Sequence, residues 1–170
     1  MWAHFLNPLY DEGKYLRIKV MPKEKTYLCL CLDCGGQRQL IGNCRLCDSA
    51  QTPEAITETL IFNMELGYPT IEEAIDKFES YLDAAYDAGF KSMVVIHGYG
   101  SSGSGGGIKQ TMRRHLEGNY YLPKVGSYYF GEDLKVGNEA FEELLKARSS
   151  IKKNQSHFLG NAGTSVLLLG

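Results

Sequence analysis

Two Cys-x-x-Cys pairs, Cys31-Leu-Asp-Cys34 and Cys44-Arg-Leu-Cys47, constrain this 170-residue chain more than any other feature. Nine residues separate them. Zinc takes four thiolates in a tetrahedron at about 2.3 Å, and two knuckles turned towards each other supply that set. The spacing predicts a structural Zn2+ on Cys31, Cys34, Cys44 and Cys47, inside a small zinc ribbon spanning residues 1–48. Four sulfur ligands leave no open position for water, so such an ion fastens the chain and does no catalysis. A ribbon this small buries too little apolar surface to fold without it. Gly35 and Gly36 follow the first pair, where a tight turn aims amide hydrogens at sulfur. The competing reading is a redox pair or unrelated thiols. Cys29, the fifth cysteine, is either a substitute ligand or a packed thiol.

Cysteine usage also bears on compartment. The apolar run in Met1–Tyr10 is broken by Asp11 and Glu12, short of a signal peptide. No stretch approaches the roughly 18 apolar residues of a membrane span. Thiols without an export signal fit a reducing cytoplasm, so the expectation is a cytoplasmic protein with no membrane partner. A content of 44% hydrophobic and 22% charged residues belongs to a globular chain. The net charge of −2 gives no bulk attraction to nucleic acid, so any such binding needs cations gathered locally. Near the cysteines stand Lys23, Lys25, Arg38 and Arg45, with Gln37, Gln39 and Tyr27 among them. That set serves equally as a phosphate-contacting surface or as a solvated face.

Within the ribbon segment, Tyr15–Val20 alternates as a half-buried strand does, and Tyr27–Cys31 reads as a second short strand. Residues 49–56 lack periodicity and contain Pro53, which suggests a linker. Beyond it the order is strand, helix, strand, helix. Thr59–Glu65 reads as a strand. Thr70 with Glu73 three residues on forms a capping box, and Ile71, Ala74, Ile75, Phe78, Tyr81, Leu82 and Ala85 fall on one helical face. Gly89 is placed to end that helix. Ser92–Ile96 is a continuous apolar run, as in a strand buried on both faces. Gly98–Gly107 holds six glycines, reads as a loop, and leads into a helix at Ile108–Leu116. In that helix Met112 and Leu116 face inward, Lys109 and Arg113 outward. Ser127–Phe130, Asn138–Ala147 and Thr164–Leu169 complete the set as strand, helix and strand.

A glycine loop between a buried strand and a helix start favours anions, because unpaired amides and the helix dipole point into it. One helix end contributes only about 0.3–1 kcal/mol, so affinity for a polyanion needs several phosphates contacted at once. Lys109, Arg113 and Arg114 would add charge beside Gly98, Tyr99 and Gly100. Gly98-x-Gly100-x-x-Gly103 formally matches a dinucleotide fingerprint. The loop follows the second strand of its domain, however, and no acidic strand end lies about twenty residues later. A P-loop is excluded, since no G-x-x-x-x-G-K-[ST] occurs. The remaining alternative is a surface loop without a ligand.

Val94-Val95-Ile96-His97-Gly98-Tyr99-Gly100, the helix carrying Lys109 and Arg113, the closing Gly160-Asn161-Ala162-Gly163-Thr164-Ser165-Val166, and the helix start Thr70-Ile71-Glu72-Glu73-Ala74 together resemble the Smr (small MutS-related) domain. The likeness runs over roughly residues 57–170. It implies a two-layer βαβα-type α/β sandwich and DNA- or RNA-directed roles, with the ribosome among the partners. Nicking and mRNA cleavage occur in some members. The family's first strand ends L-D-x-H-G. Here Met64-Glu65-Leu66-Gly67-Tyr68 aligns with it, so Glu65 takes the acid position and Gly67 replaces the histidine.

Parallel neighbouring strands would bring Glu65 and His97 to one sheet edge, about 4.8 Å apart in the pairing direction. The expected chemistry is phosphodiester cleavage, with His97 as general base or acid and Glu65 orienting it or a metal-bound water. The amides of Gly98–Gly100 would steady the phosphate. For His97 the competing role is to hold the loop through a backbone carbonyl. His115, His157 and the tyrosines 120, 121, 128 and 129 are weaker candidates, the tyrosines as base-stacking platforms or as core. Two other function classes stay open: a protein-interaction module with an inert loop, and a small-phosphate or nucleotide-binding enzyme.

Overall fold

The computed structural model describes residues 29–100 and 106–170. The strand read at Tyr15–Val20, with Lys23, Lys25 and Tyr27, lies outside them. Three two-residue strands, β1 (Cys29–Leu30), β2 (Gln37–Arg38) and β3 (Glu54–Ala55), form an antiparallel sheet in the order β2-β1-β3. β3 falls inside the segment read as a linker. Two residues are too few to display the alternation by which a strand is recognised, and pairing with β1 reveals this one. Among the described residues the ribbon shows no core of its own: Cys29 and Leu40 share one buried cluster with Leu60, Phe62 and Phe78 of the following domain.

That domain is built on β4 (Thr59–Asn63), β5 (Ser92–Ile96), β6 (Val125–Phe130) and β7 (Thr164–Leu169), in the order β4-β5-β7-β6. β4 and β5 are parallel neighbours, with Thr59 opposite Ser92 and Asn63 opposite Ile96. β7 runs antiparallel to both β5 and β6. The connection from β4 to β5 is α1 (Ile71–Asp87), whose capping box is formed in full at Thr70 and Glu73. Its inward stripe, Ala74, Ile75, Phe78, Leu82 and Ala85, is buried as the helical period requires. Each such aliphatic or aromatic side chain contributes roughly 1.5–3 kcal/mol by leaving water. α2 (Gly107–Glu117) lies beside α1 with Met112 and Leu116 inward.

β5 explains why both sheet faces are covered. Met93 and Val95 point into the cluster under α1 and α2, while Val94 points into a second one. That second core gathers Phe141 and Leu144 of α3 (Glu139–Ala147), Ile151 of a 3-10 turn over residues 149–154, and Phe158 of α4 (Gln155–Phe158). The α/β class is the one expected. The chain between β6 and β7 packs on the sheet face opposite α1 and α2. Among the described residues no helix is long and apolar enough to cross a membrane.

Candidate functional site

The cysteine knuckles repeat one hydrogen-bond pattern. Gly35 N–H donates to Cys31 O and Asp48 N–H to Cys44 O, each at 2.8 Å. Cys31 N–H donates to Gly36 O at 2.9 Å, and Cys44 N–H to Ser49 O at 2.8 Å. The fifth residue of each knuckle is left-handed, Gly35 at φ +69 and Asp48 at φ +56. Two such turns facing each other bring the four sulfurs of Cys31, Cys34, Cys44 and Cys47 within 4.8 Å of one another. A tetrahedron with metal–sulfur bonds of about 2.3 Å has edges of about 3.8 Å. The Cys31–Cys47 and Cys34–Cys44 separations, 3.6 and 3.7 Å, fit that figure. The amides of Cys34 and Asp33 bring the Cys31 thiol down to about 6, and those of Leu46 and Cys47 lower Cys44. Cys47, although the Ser49 amide favours its thiolate, is pushed up to about 12 by burial and the neighbouring sulfurs. Four thiolates this close repel one another until a cation joins them, so the donor set suits a divalent ion.

Cys29 stands outside that group: fully buried in the core and raised to about 11 by burial, it is a packed thiol. Arg38 is also not the surface cation it resembled. It is 4% exposed, and its guanidinium donates to the carbonyls of Ser49, Gln51 and Gly42, tying the two arms of the ribbon together.

The second candidate site is the edge where β4 and β5 end, β7 begins and α2 starts. Parallel pairing places Glu65 and His97 there together, as expected, but with unequal access. Glu65 is exposed, and its carboxylate lies so close to Gly98 that a Cβ on Gly98 would overlap it. Only glycine suits that position, whose φ is +71. His97 is 4% exposed. Its Nε2 is 3.0 Å from Ser165 Oγ on β7 and its Nδ1 is 3.2 Å from Gly98 O. Burial holds its pKa below the usual histidine value, which keeps the ring neutral. Both nitrogens are therefore engaged within the fold. The Gly98 amide is engaged too: it and the His97 amide both donate to Gly163 O, at 3.0 and 2.9 Å. The phosphate cradle read at Gly98–Gly100 thus lacks its first donor.

Helix starts complete the edge. Gly107 lies against the Ile71 side chain, so α1 and α2 begin side by side. α1 is closed by its capping box and by Glu72 and Glu73. α2 has no side-chain cap at Gly106 and no acid in its first turn. Lys109 and Arg113, one turn apart on α2, converge on Glu132 just after β6: Lys109 Nζ to Oε2 at 2.6 Å and Arg113 Nη1 to Oε1 at 2.7 Å. The Lys109 hydrogen bond leads in holding the Glu132 carboxyl below its usual pKa. Arg113 lies 3.9 Å over the Phe130 ring centroid and Lys109 5.0 Å over that of Tyr99. Arg114 is exposed, as are Tyr99 (51%) and Tyr68 (94%). Sequence reasoning missed Glu132 entirely; it sits 19 to 23 residues from its partners, with no spacing that links them.

The lesser candidates are placed as follows. His115 bonds Tyr121 O–H at 2.7 Å and stacks near Tyr120, away from the acids at the edge. Tyr121 is buried, whereas Tyr128 and Tyr129 pack against opposite cores. Among the described residues, the four cysteines are the one group of three or more donors placed to hold a metal ion, and Glu65 belongs to no such group.

Residues 66–146 match the Smr domain family. Two curated relatives are similar in sequence, both described as Endonuclease MutS2. The protein from Clostridioides difficile (strain 630) is 47% identical over 45 residues, covering 26% of this chain and 6% of its own length. That from Lactiplantibacillus plantarum is 30% identical over 84 residues, covering 49% of this chain and 10% of its own. This chain therefore spans no more than a tenth of either relative. A crystal structure of the Smr domain of Thermus thermophilus MutS2 aligns over 67% of this chain and 99% of that one, with a TM-score of 0.39 and 18% identity.

Proposed function

An Smr domain occupies residues 66–146, and from that premise we propose that the chain binds nucleic acid at the edge where β4 and β5 end and α2 begins. The carrying observation is an α2 start without a side-chain cap, with Lys109 in its first turn beside exposed Tyr99; Arg113 lies one turn further on, and Arg114 adds an exposed cation in the last turn of the helix. Phosphate oxygens would meet the first-turn amides of α2 and Lys109, with Arg113 and Arg114 further along the helix, and unpaired bases would stack on Tyr99 and Tyr68. Glu132 and Glu117 cancel two of the three positive charges. The contact is accordingly short-ranged, without a long-range steering field. Single-stranded RNA, ribosomal RNA included, supplies both the phosphates and the open bases.

In this reading the ion of the ribbon is zinc and its role is structural. The knuckles hold β1–β3 in shape, and through Cys29 and Leu40 the ribbon is anchored on the main core. Zinc supplies no chemistry to the distant edge.

Cleavage is a second reading, favoured by the exposed Glu65 carboxylate at that edge and by the similarity to proteins named endonucleases. Glu65 would then take the proton of the attacking water. His97 would position the loop through Ser165 and Gly98, with no nitrogen open to substrate.

The test is fluorescence-anisotropy titration of the whole chain with single- and double-stranded RNA and DNA, alongside denaturing gels of the same oligonucleotides. Arg114→Gln should weaken binding several-fold, and Glu65→Gln should leave binding intact while abolishing any cleavage. Saturation by nucleotides alone, or no binding to any polymer, would overturn the reading.

A further inference from the structure

β4 is an edge strand of the four-stranded sheet, and a groove of about 740 Å3 runs along it. The helices packed on the two sheet faces form its walls. Phe62 and Tyr81, their ring centroids 4.6 Å apart, stand on the α1 side. Ser150, Lys153, Asn154 and His157 stand on the other, spaced as one face of the 3-10 turn and α4. One wall is thus aromatic and the other polar. Ile41, Ile56 and Leu66, which also line the groove, are 40 to 42% exposed.

The floor of this groove is an unfinished ladder. Ser92 N–H donates to Glu58 O and Met64 N–H to Ile96 O, so the even-numbered residues of this stretch turn their main chain to β5. The two-residue period then directs the N–H and C=O of Ile61 and Asn63 the other way, into the groove. Among the described residues no strand pairs with β4 on that side. Such an edge is a template for another extended peptide. A polynucleotide backbone has no amides to match it.

Charge narrows the choice of peptide. Lys77, 5.8 Å from the Phe62 ring centroid, and Lys153 bring one ammonium group to each wall. Among the described residues neither makes an ion pair. The Glu58 carboxylate lines the same groove but accepts a hydrogen bond from the Ser150 hydroxyl.

We infer that the groove binds an extended segment of a partner protein, added to the sheet beside β4, in which aliphatic and acidic residues alternate. Alternate side chains of an added strand face opposite walls. The aliphatic ones would lie on Phe62 and Tyr81, and the acidic ones would reach Lys153 on the polar wall. Main-chain bonds to Ile61 and Asn63 would supply affinity, and the two unlike walls would select the sequence. No residue of α2 lines this groove, so the inference does not rest on nucleic-acid binding.

The test titrates the whole chain with a labelled ten-residue peptide of alternating Glu and Val, read by fluorescence anisotropy and by NMR amide exchange. Binding should saturate, and the Ile61 and Asn63 amides should exchange at least tenfold more slowly in the complex. Val94 and Val95 should exchange slowly with and without peptide. Lys153→Glu should weaken binding at least fivefold at an unchanged melting temperature, and a peptide of alternating Lys and Val should not bind. Failure of the acidic peptide to saturate, or equal binding of the basic one, overturns the inference. So does slow exchange at Ile61 and Asn63 before any peptide is added, since the edge would then already be paired. Displacement of the peptide by oligouridylate overturns it too, by assigning the groove to nucleic acid.

Discussion

His97→Ala removes a 4% exposed imidazole that bridges β5 and β7 through Ser165 Oγ. Ser165 is fully buried, so its hydroxyl would lose its partner in a place water does not reach. An unsatisfied buried group costs about 1–3 kcal/mol, and the space left by a ring adds to it, as in other large-to-small core changes. A total of roughly 2–5 kcal/mol is expected, or a melting temperature lower by about 5–15 °C in a chain of this length. A histidine working as an exposed base would behave differently: surface substitutions change stability by only about 0.5 kcal/mol. Urea titration followed by circular dichroism measures the difference. Combining the change with Ser165→Ala should cost about 1 kcal/mol less than the sum of the two, because they share one bond. The pH dependence follows from the same burial. The folded pKa lies below the unfolded one, so the unfolded chain binds the extra proton. Stability should be full above about pH 6.5 and fall as pH drops below it, a loss absent in His97→Ala. A variant as stable as the parent at every pH would refute the placement of His97 inside the fold.

Three further outcomes are expected. Gly98→Ala must place a Cβ at φ +71 against the Glu65 carboxylate, so thermal melts should show a loss of about 1–3 kcal/mol, and an unchanged melt would contradict the close approach. Glu132→Gln removes the negative charge between Lys109 and Arg113, and anisotropy titration at low salt should show nucleic acid bound a few-fold tighter, with stability within about 1 kcal/mol of the parent; weaker binding would contradict the assignment. Cys34→Ser, or a strong chelator, should take metal content by mass spectrometry from about one ion per chain towards none and speed amide exchange in β1–β3; a ribbon equally protected without metal would contradict its structural role.

Local patterns were legible in the sequence and distant pairings were not. α1 could be read because its capping box and its stripe of Ala74, Phe78 and Leu82 lie within one helix. β5 and β7 could be read because unbroken apolar runs suit strands buried on both faces. The four cysteines announced themselves by spacing. β3 was hidden by its length, and residues 149–158 by their short 3-10 and helical turns, which show no full period. His97 looked like a base because its sequence neighbours are an exposed glycine loop, whereas the residue that fixes its role, Ser165, is 68 positions away. Arg38 looked solvated until the carbonyls of Gly42, Ser49 and Gln51 closed around it. Lys109 and Arg113 were found as cations, but their neutralisation by Glu132 arises only when β6 and α2 come together.

The salt dependence of binding tests the polyanion edge most directly. Three phosphate contacts on a single strand release about 0.7 counterion each, so log affinity against log salt should fall with a slope near −2. Replacing Lys109, Arg113 and Arg114 together by glutamine should bring that slope close to zero and leave only weak stacking. An affinity indifferent to salt in the parent, or a slope unaltered in the triple variant, would place the contact elsewhere or remove it altogether.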